Sequence, residues 1–240
     1  MSKNNLMNRG EIELLIAQML DRYFTVKNNG KIMSSIDIDD FVLNFLECQI
    51  IYESIGTSSN TLGYVSDGFT KLKVFRKGRI REVLFPKDTI VLDKYLCSRN
   101  MESKRRFVLG HEAGHVITNR IYHQQKAYFN REFDSLQLNN SREMLDQFSI
   151  YEMQADHISA CILMPKLTVM KHIETAFKAK KVIKYDNGTI SRYDRVMLQQ
   201  MANEMKVSMA ALMNRLKELN LFEIRPLPYP FDGDEVIIYE

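Results

Sequence analysis

Residues 105–120, RRFVLGHEAGHVITNR, set the tightest limit on what this chain can fold into. Residues four apart on an α-helix lie one turn apart on nearly the same face, so the imidazoles of His111 and His115 can converge on one ion. Glu112 is rotated by about 100° from His111, which puts its carboxylate beside such an ion rather than on it. His-Glu-x-x-His is the arrangement of zinc hydrolases, in which the metal acidifies a water and the glutamate takes its proton. With this composition a chance occurrence is on the order of one per cent. Phe107, Val108, Val116 and Ile117 give the helix an apolar body. A mid-helix glycine costs about 1 kcal/mol against alanine, so Gly114 implies a closely packed neighbour.

A catalytic zinc site needs three protein ligands and an open position, so a second element must bring a third donor. The metzincin pattern would place a glycine at position 118 and a histidine at 121; the chain has Thr118 and Ile121, which excludes that class. His123 falls off the ligand face of the motif helix. The better candidate lies in YEMQADHISACILMP, residues 151–165, where Glu152 and Asp156 share a helix face. Glu152 can bind metal, and Asp156 can accept a hydrogen bond from the far nitrogen of a ligand imidazole. Ala155 and Ala160 would let the two helices approach. His157 can be read as an alternative ligand, as a donor to a developing oxyanion, or as an ordinary helix histidine. Tyr122, Tyr128 and Tyr151 are equally able oxyanion donors.

Around these two helices the pattern is α+β. EIELLIAQMLDRYF has helical spacing and ends at NNG, residues 28–30. Asp37 can cap a helix through DDFVLNFLE, with Phe41, Val42, Phe45 and Leu46 on one side. From Gln49 to Asp93 short β-branched or alternating runs, split by glycines, predict a small, largely antiparallel sheet, with a hairpin at Lys77-Gly78. The motif helix runs to about Tyr122, a polar loop spans 123–140, and the second helix spans Ser141 to Leu163, ending at Met164-Pro165. A basic stretch, 166–192, holds an Asn-Gly turn and reads as either a substrate-contacting flap or a surface insertion. Two helices and a proline-rich tail follow. The simplest division is a helical lead-in, 1–35, one domain, 36–222, and a tail, 223–240.

Composition narrows the function classes. The hydrophobic share of 45% and net charge of +3 suit a globular protein and neither require nor exclude nucleic acid. Cys48, Cys97 and Cys161 are odd in number and widely spaced, with no Cys-x-x-Cys pair, which points to thiols in a reducing compartment. No secretion signal or run of 18 apolar residues is present, so a cytoplasmic protein with no membrane partner is expected.

RRFVLGHEAGH, followed some forty residues later by E-x-x-A-D and a closing L-M-P, resembles the ImmA/IrrE-type metallopeptidases. DTIVLDKYL before the motif helix and KVSMAALMNRLKELNLF at 206–222 share the resemblance, which covers roughly 36–222. It implies a zincin-like metallopeptidase domain in which His111, His115 and Glu152 bind Zn2+ and Glu112 is the general base. It also implies a cytoplasmic endopeptidase whose protein substrate is a DNA-binding repressor. The family pattern often has a glycine where this chain has Lys206.

Two rivals stand beside this reading. LQQMANEMKVSMAALMNRLKEL, within the helix-turn-helix-like closing segment 193–222, has the spacing of two helices joined by a tight turn, which could enter a major groove. Its expected exposed residues, Asn214, Arg215, Lys217 and Glu218, make a thin basic footprint, while Leu198, Met201, Val207, Leu212 and Leu216 suit a core. The other rival is a zinc-containing regulatory protein that acts by partner binding without proteolysis; Glu112 argues against it, since a structural site has no use for a base. A peptidase would take its substrate along a sheet edge, here expected at 79–85 or 88–93. The terminal EVIIYE reads either as an edge strand or as an inhibitory strand across the cleft.

Overall fold

The computed structural model describes residues 7–28, 34–55, 61–122, 141–178, 180–227 and 236–237, without the side chains of 141–149 and 236–237. Tyr128, His123 and the expected loop at 123–140 lie outside the described residues. The architecture is α+β, and the chain divides into two compact units: Met1–Lys31 with Ile36–Leu163, and Ile32–Ser35 with Met164–Glu240. Among the described residues no helix is long and apolar enough to cross a membrane.

In the first unit, α1 (Arg9–Asn28) starts at a reciprocal cap: Glu11 N–H donates to Asn8 Oδ1 and Asn8 N–H donates to Glu11 Oε2, at 3.0 and 2.7 Å. Ile12, Ile16 and Leu20 recur every fourth residue and are buried on the side of α1 that packs on α4 (Ser141–Leu163). Asp37 caps α2 (Ile38–Asp40) by accepting the Asp40 N–H, as its position predicts. The helix then widens into a π-helical turn, Phe41–Phe45, in which Phe41 and Val42 are buried and Phe45 stacks on Phe41 at 5.1 Å.

Residues 49–93 form a mixed three-stranded sheet and an antiparallel hairpin, so two of the three pairings are antiparallel as expected and one is parallel. β1 (Gln49–Glu53) runs parallel to β5 (Thr89–Asp93), and β2 (Gly63–Val65) pairs antiparallel on the other side of β5. β5 is therefore the central strand. Ile90, Val91 and Leu92 are fully buried because both faces are covered, as their unbroken apolar run suits. β3 (Leu72–Arg76) and β4 (Arg79–Val83) form the expected hairpin, with positive φ at both Lys77 and Gly78. Ile55, Tyr64, Leu72, Val74, Phe85 and Val91 form a core on one face of the sheet. Alternation turns Gly63 to the opposite face, where α3 (Glu102–Tyr122) lies across β2 and β5.

Three arginines anchor α3. Arg105 grips the Asp39 carboxylate with both guanidinium ends, at 2.6 and 2.8 Å, and reaches Tyr52. Arg106 is buried and donates to the Ile36 carbonyl, and Arg120 donates to the Leu46 carbonyl and Asp88.

In the second unit, α5 (Lys166–Phe177) occupies half of the basic stretch, followed by β6 (Val182–Tyr185), the Asn187-Gly188 turn and β7 (Ile190–Ser191). α6 (Arg192–Met205), α7 (Met209–Glu218) and the turn between them bury Leu198, Met201, Val207, Leu212 and Leu216, the core set expected of this segment. Arg215, expected on the surface, is instead buried: its Nε donates to the Met164 carbonyl and its guanidinium pairs with Glu218. Burial strips α7 of one of the two cations proposed as a nucleic-acid footprint. β8 (Phe222–Arg225) pairs parallel with β6, and β9 (Val236–Ile237) pairs antiparallel with β7, so that part of EVIIYE is an ordinary strand.

Candidate metal centre

The centre is assembled where α3 packs on α4, and small residues set the approach. A Cβ at Gly114 would stand 3.0 Å from the Ala155 Cα, and one at Gly110 would press on the Ser159 hydroxyl at 2.5 Å. Gly114 and Ala155 thus act as the sequence suggested. The second contact, however, is Gly110 on Ser159, while Ala160 is only half-buried. The Ser159 hydroxyl turns to the Phe107 carbonyl at 2.9 Å, so the close approach leaves it bonded.

That packing brings His111, His115 and Glu152 together. The two Nε2 atoms are 3.0 Å apart, and Glu152 presents Oε2 to His111 at 3.3 Å and Oε1 to His115 at 3.4 Å. Asp156 accepts the His111 Nδ1–H at 2.8 Å, which turns the Nε2 lone pair towards the other two donors. His115 is 2% exposed, whereas the Asp156 side chain is 56% exposed and so holds His111 from the solvent side.

The neighbouring carboxylates favour positive charge at the cluster. Burial alone would lower the His111 pKa, but the Asp156 and Glu152 carboxylates outweigh it and lift it to about 10. Burial would likewise raise Glu152; the His111 and His115 imidazoles instead hold it far below the usual carboxylate range. The cluster therefore favours a positive charge between its carboxylates. Its spacing fits a metal too. Tetrahedral bonds of about 2.0–2.1 Å from nitrogen and oxygen place ligand atoms roughly 3.3–3.4 Å apart, close to the observed triangle. The three ligand atoms can hold a metal ion as they stand.

Glu112, beside this triangle, is buried against β2. A Cβ at Gly63 would fall 2.7 Å from both Cγ and Cδ of Glu112, so a larger residue there would require the carboxylate to shift. A cleft of about 200 Å³ opens over the cluster, lined by Thr61, Leu62 and Gly63 on one side and Phe107 and Val108 on the other. Sequence reading placed Phe107 and Val108 in the helix body and passed over Gly63. The signal for Gly63 was a glycine inside a strand pattern, which marks a close approach of another group.

Three of the four oxyanion candidates do not line the cleft, and the fourth, Tyr128, lies outside the described residues. Among the described residues lining the cleft there is no Tyr122, Tyr151 or His157. The Tyr122 hydroxyl lies by the Met7 backbone and near Tyr151, and burial raises its pKa. His157, one residue and about 100° around α4 from Asp156, turns to Glu13 and Cys161.

Fold and site together define an α+β protein with a His-His-Glu donor set able to hold a metal beside a buried glutamate. Compared with known proteins, the chain matches no family model and no curated sequence.

Proposed function

We propose that this protein is a zinc-dependent endopeptidase of zincin-like architecture. The observation that carries the reading is the triangle of His111, His115 and Glu152 with Glu112 beside it in the same cleft, packed against Gly63. Two imidazoles and a carboxylate suit Zn2+, and three protein ligands leave the open position that a catalytic site requires. Bound there, zinc supplies Lewis acidity that acidifies water and polarises a carbonyl. Glu112 takes the proton of the attacking water and returns it to the leaving amine. Asp156 keeps His111 in one tautomer, and Phe107 and Val108 offer an apolar wall to the substrate.

The substrate edge is best assigned to β2. Strand 88–93 is central and already paired on both sides; β4 keeps a free edge among the described residues but none of its residues lines the cleft, whereas β2 ends the three-stranded sheet and reaches the cleft. Leu62 and Ser66 bond to Asp93 and Thr89, so alternation turns the Gly63 and Val65 backbone groups outward. A peptide laid there would gain main-chain hydrogen bonds with little sequence reading. The resemblance to the ImmA/IrrE-type enzymes adds a substrate class, a cytoplasmic DNA-binding repressor.

Elemental analysis and cleavage assays on the wild type, Glu152→Ala and Glu112→Gln test this. Expected are zinc in the wild type, at least tenfold weaker binding at this site in Glu152→Ala, and loss of cleavage with zinc retained in Glu112→Gln. Zinc binding unchanged by Glu152→Ala would remove the three-ligand site. Function that survives Glu112→Gln would instead make this a zinc-containing regulator that works by binding a partner.

A further inference from the structure

The helix α4 carries a second pair of donors at metal-ligand spacing. His157 and Cys161 are four apart, the relation His111 and His115 have on α3, but they face α1 rather than the cleft. The Cys161 Sγ lies 3.7 Å from the His157 Nε2, and the Glu13 carboxylate of α1 comes to 3.8 Å from the same nitrogen. The three ligand atoms lie within 4.8 Å of one another. We propose that Glu13, His157 and Cys161 form a second metal site, distinct from the peptidase centre, which takes a divalent transition ion of zinc type and clamps α1 to α4.

Three observations carry this. The sulfur–nitrogen distance matches the roughly 3.6 Å expected between tetrahedral ligands with bonds of about 2.3 and 2.05 Å. The carboxylate needs to close by about half an ångström, from 3.8 Å towards the roughly 3.3 Å such a site sets, and all three ligand atoms already lie within 4.8 Å of one another. The donor chemistry is selective: a thiolate with an imidazole and a carboxylate favours zinc-type ions over magnesium or calcium, which prefer all-oxygen sites.

Burial is graded in the manner a site with an entry route needs. Cys161 and His157 are buried, while the Glu13 side chain remains 23% exposed, so an ion can arrive from solvent through Glu13. Binding releases the thiol proton and exchanges it for a bond to the metal. Because His157 directly follows Asp156, the clamp braces the turn of α4 that orients His111. The inference does not depend on the peptidase reading, since no residue of the first centre takes part.

Cobalt(II) added to the full-length, metal-free protein distinguishes the two sites, because a cobalt–thiolate bond gives a near-ultraviolet charge-transfer band and the His-His-Glu site holds no sulfur. Expected are roughly two cobalt equivalents per chain, one of them with the band. Glu152→Ala should keep the band and lose the other equivalent. Cys161→Ser should lose the band and one equivalent, and Glu13→Gln, which leaves the thiol and imidazole in place, should weaken the banded site at least tenfold. Melting curves show which variants remain folded, and Glu13→Gln keeps the test decisive if Cys161→Ser does not. A single equivalent without a thiolate band, a band that survives Cys161→Ser, or binding indifferent to Glu13→Gln would each overturn the site and leave a thiol–imidazole hydrogen bond.

Discussion

Gly63 faces Glu112 across the gap between β2 and α3, and a methyl group there has no room unless the carboxylate moves. The three atoms nearest a Cβ at position 63 all belong to Glu112, and none to His111, His115 or Glu152. Gly63→Ala should therefore cut peptide hydrolysis by about 10²-fold, the cost of displacing a catalytic group by roughly an ångström, with zinc binding unchanged. Joint measurement of metal content and cleavage rate decides it; a variant as active as the wild type would remove Glu112 from the mechanism. The difference between Gly63 and the histidines also explains what the sequence could disclose. His111, Glu112 and His115, and again Glu152 and Asp156, are related by helical rotation within one segment, so their geometry follows from spacing alone. Gly63 meets Glu112 through strand register, across 49 positions, which no local pattern encodes. Arg215 was misplaced for a related reason. Its charge predicts exposure, but the Met164 carbonyl and Glu218 satisfy the guanidinium inside.

At the scale of elements, long amphipathic helices and the hairpin at Lys77-Gly78 were legible, and the longer-range strand pairings were not. α4 begins and ends where its apolar period does, whereas the parallel union of β1 and β5 joins strands some forty residues apart that look alike under either orientation. α5 was missed because Pro165 was read only as the end of α4; it is also the residue that opens α5. Lys206 sits where the related pattern often has glycine, and it adopts the left-handed conformation, φ 55°, ψ 43°, between α6 and α7. An L-residue there costs about 1–2 kcal/mol, and glycine loses roughly 0.5–1 kcal/mol more backbone entropy on folding. Lys206→Gly should thus stabilise the second unit by about 0.5–1 kcal/mol, seen as a rise of a few degrees in Tm. A fall in Tm would show that the lysine side chain contributes more than its backbone strain costs. A second expectation concerns α1 and α2. Lys27 and the Tyr23 hydroxyl bond to Asp40 and hold its pKa down to about 2. A carboxylate depressed in the fold stabilises above its unfolded pKa, near 3.9, and loses that contribution as pH falls through about 2. Asp40→Asn should flatten the stability–pH curve between about pH 4 and 2 and leave its slope between about pH 5 and 8 unchanged; acid titration of the denaturation midpoint reads this directly.

For the whole molecule, every donor at both clusters belongs to the first unit, from Glu13 on α1 to Cys161 on α4. An ion held by the folded arrangement and not by the separated helices would add its binding free energy to the stability of the segments it joins. A free zinc concentration a thousandfold above the dissociation constant adds about 4 kcal/mol, equivalent to about 10³-fold slower exchange for amides that open only when α3 and α4 part. Hydrogen exchange with zinc and with a chelator should therefore show this protection in α3 and α4, centred on Gly110 to Gly114 and Ala155 to Ser159, where the helices meet most closely. α6 and α7 supply no ligand and should exchange equally in both conditions. Protection spread evenly over α3, α4, α6 and α7 would mean that the ion acts by stabilising the chain at large, and none at all would mean that the cluster holds no metal. In Glu152→Ala the gain should vanish from the Gly110 to His115 turns of α3, while any protection that zinc still confers near His157 and Cys161 would belong to the second cluster.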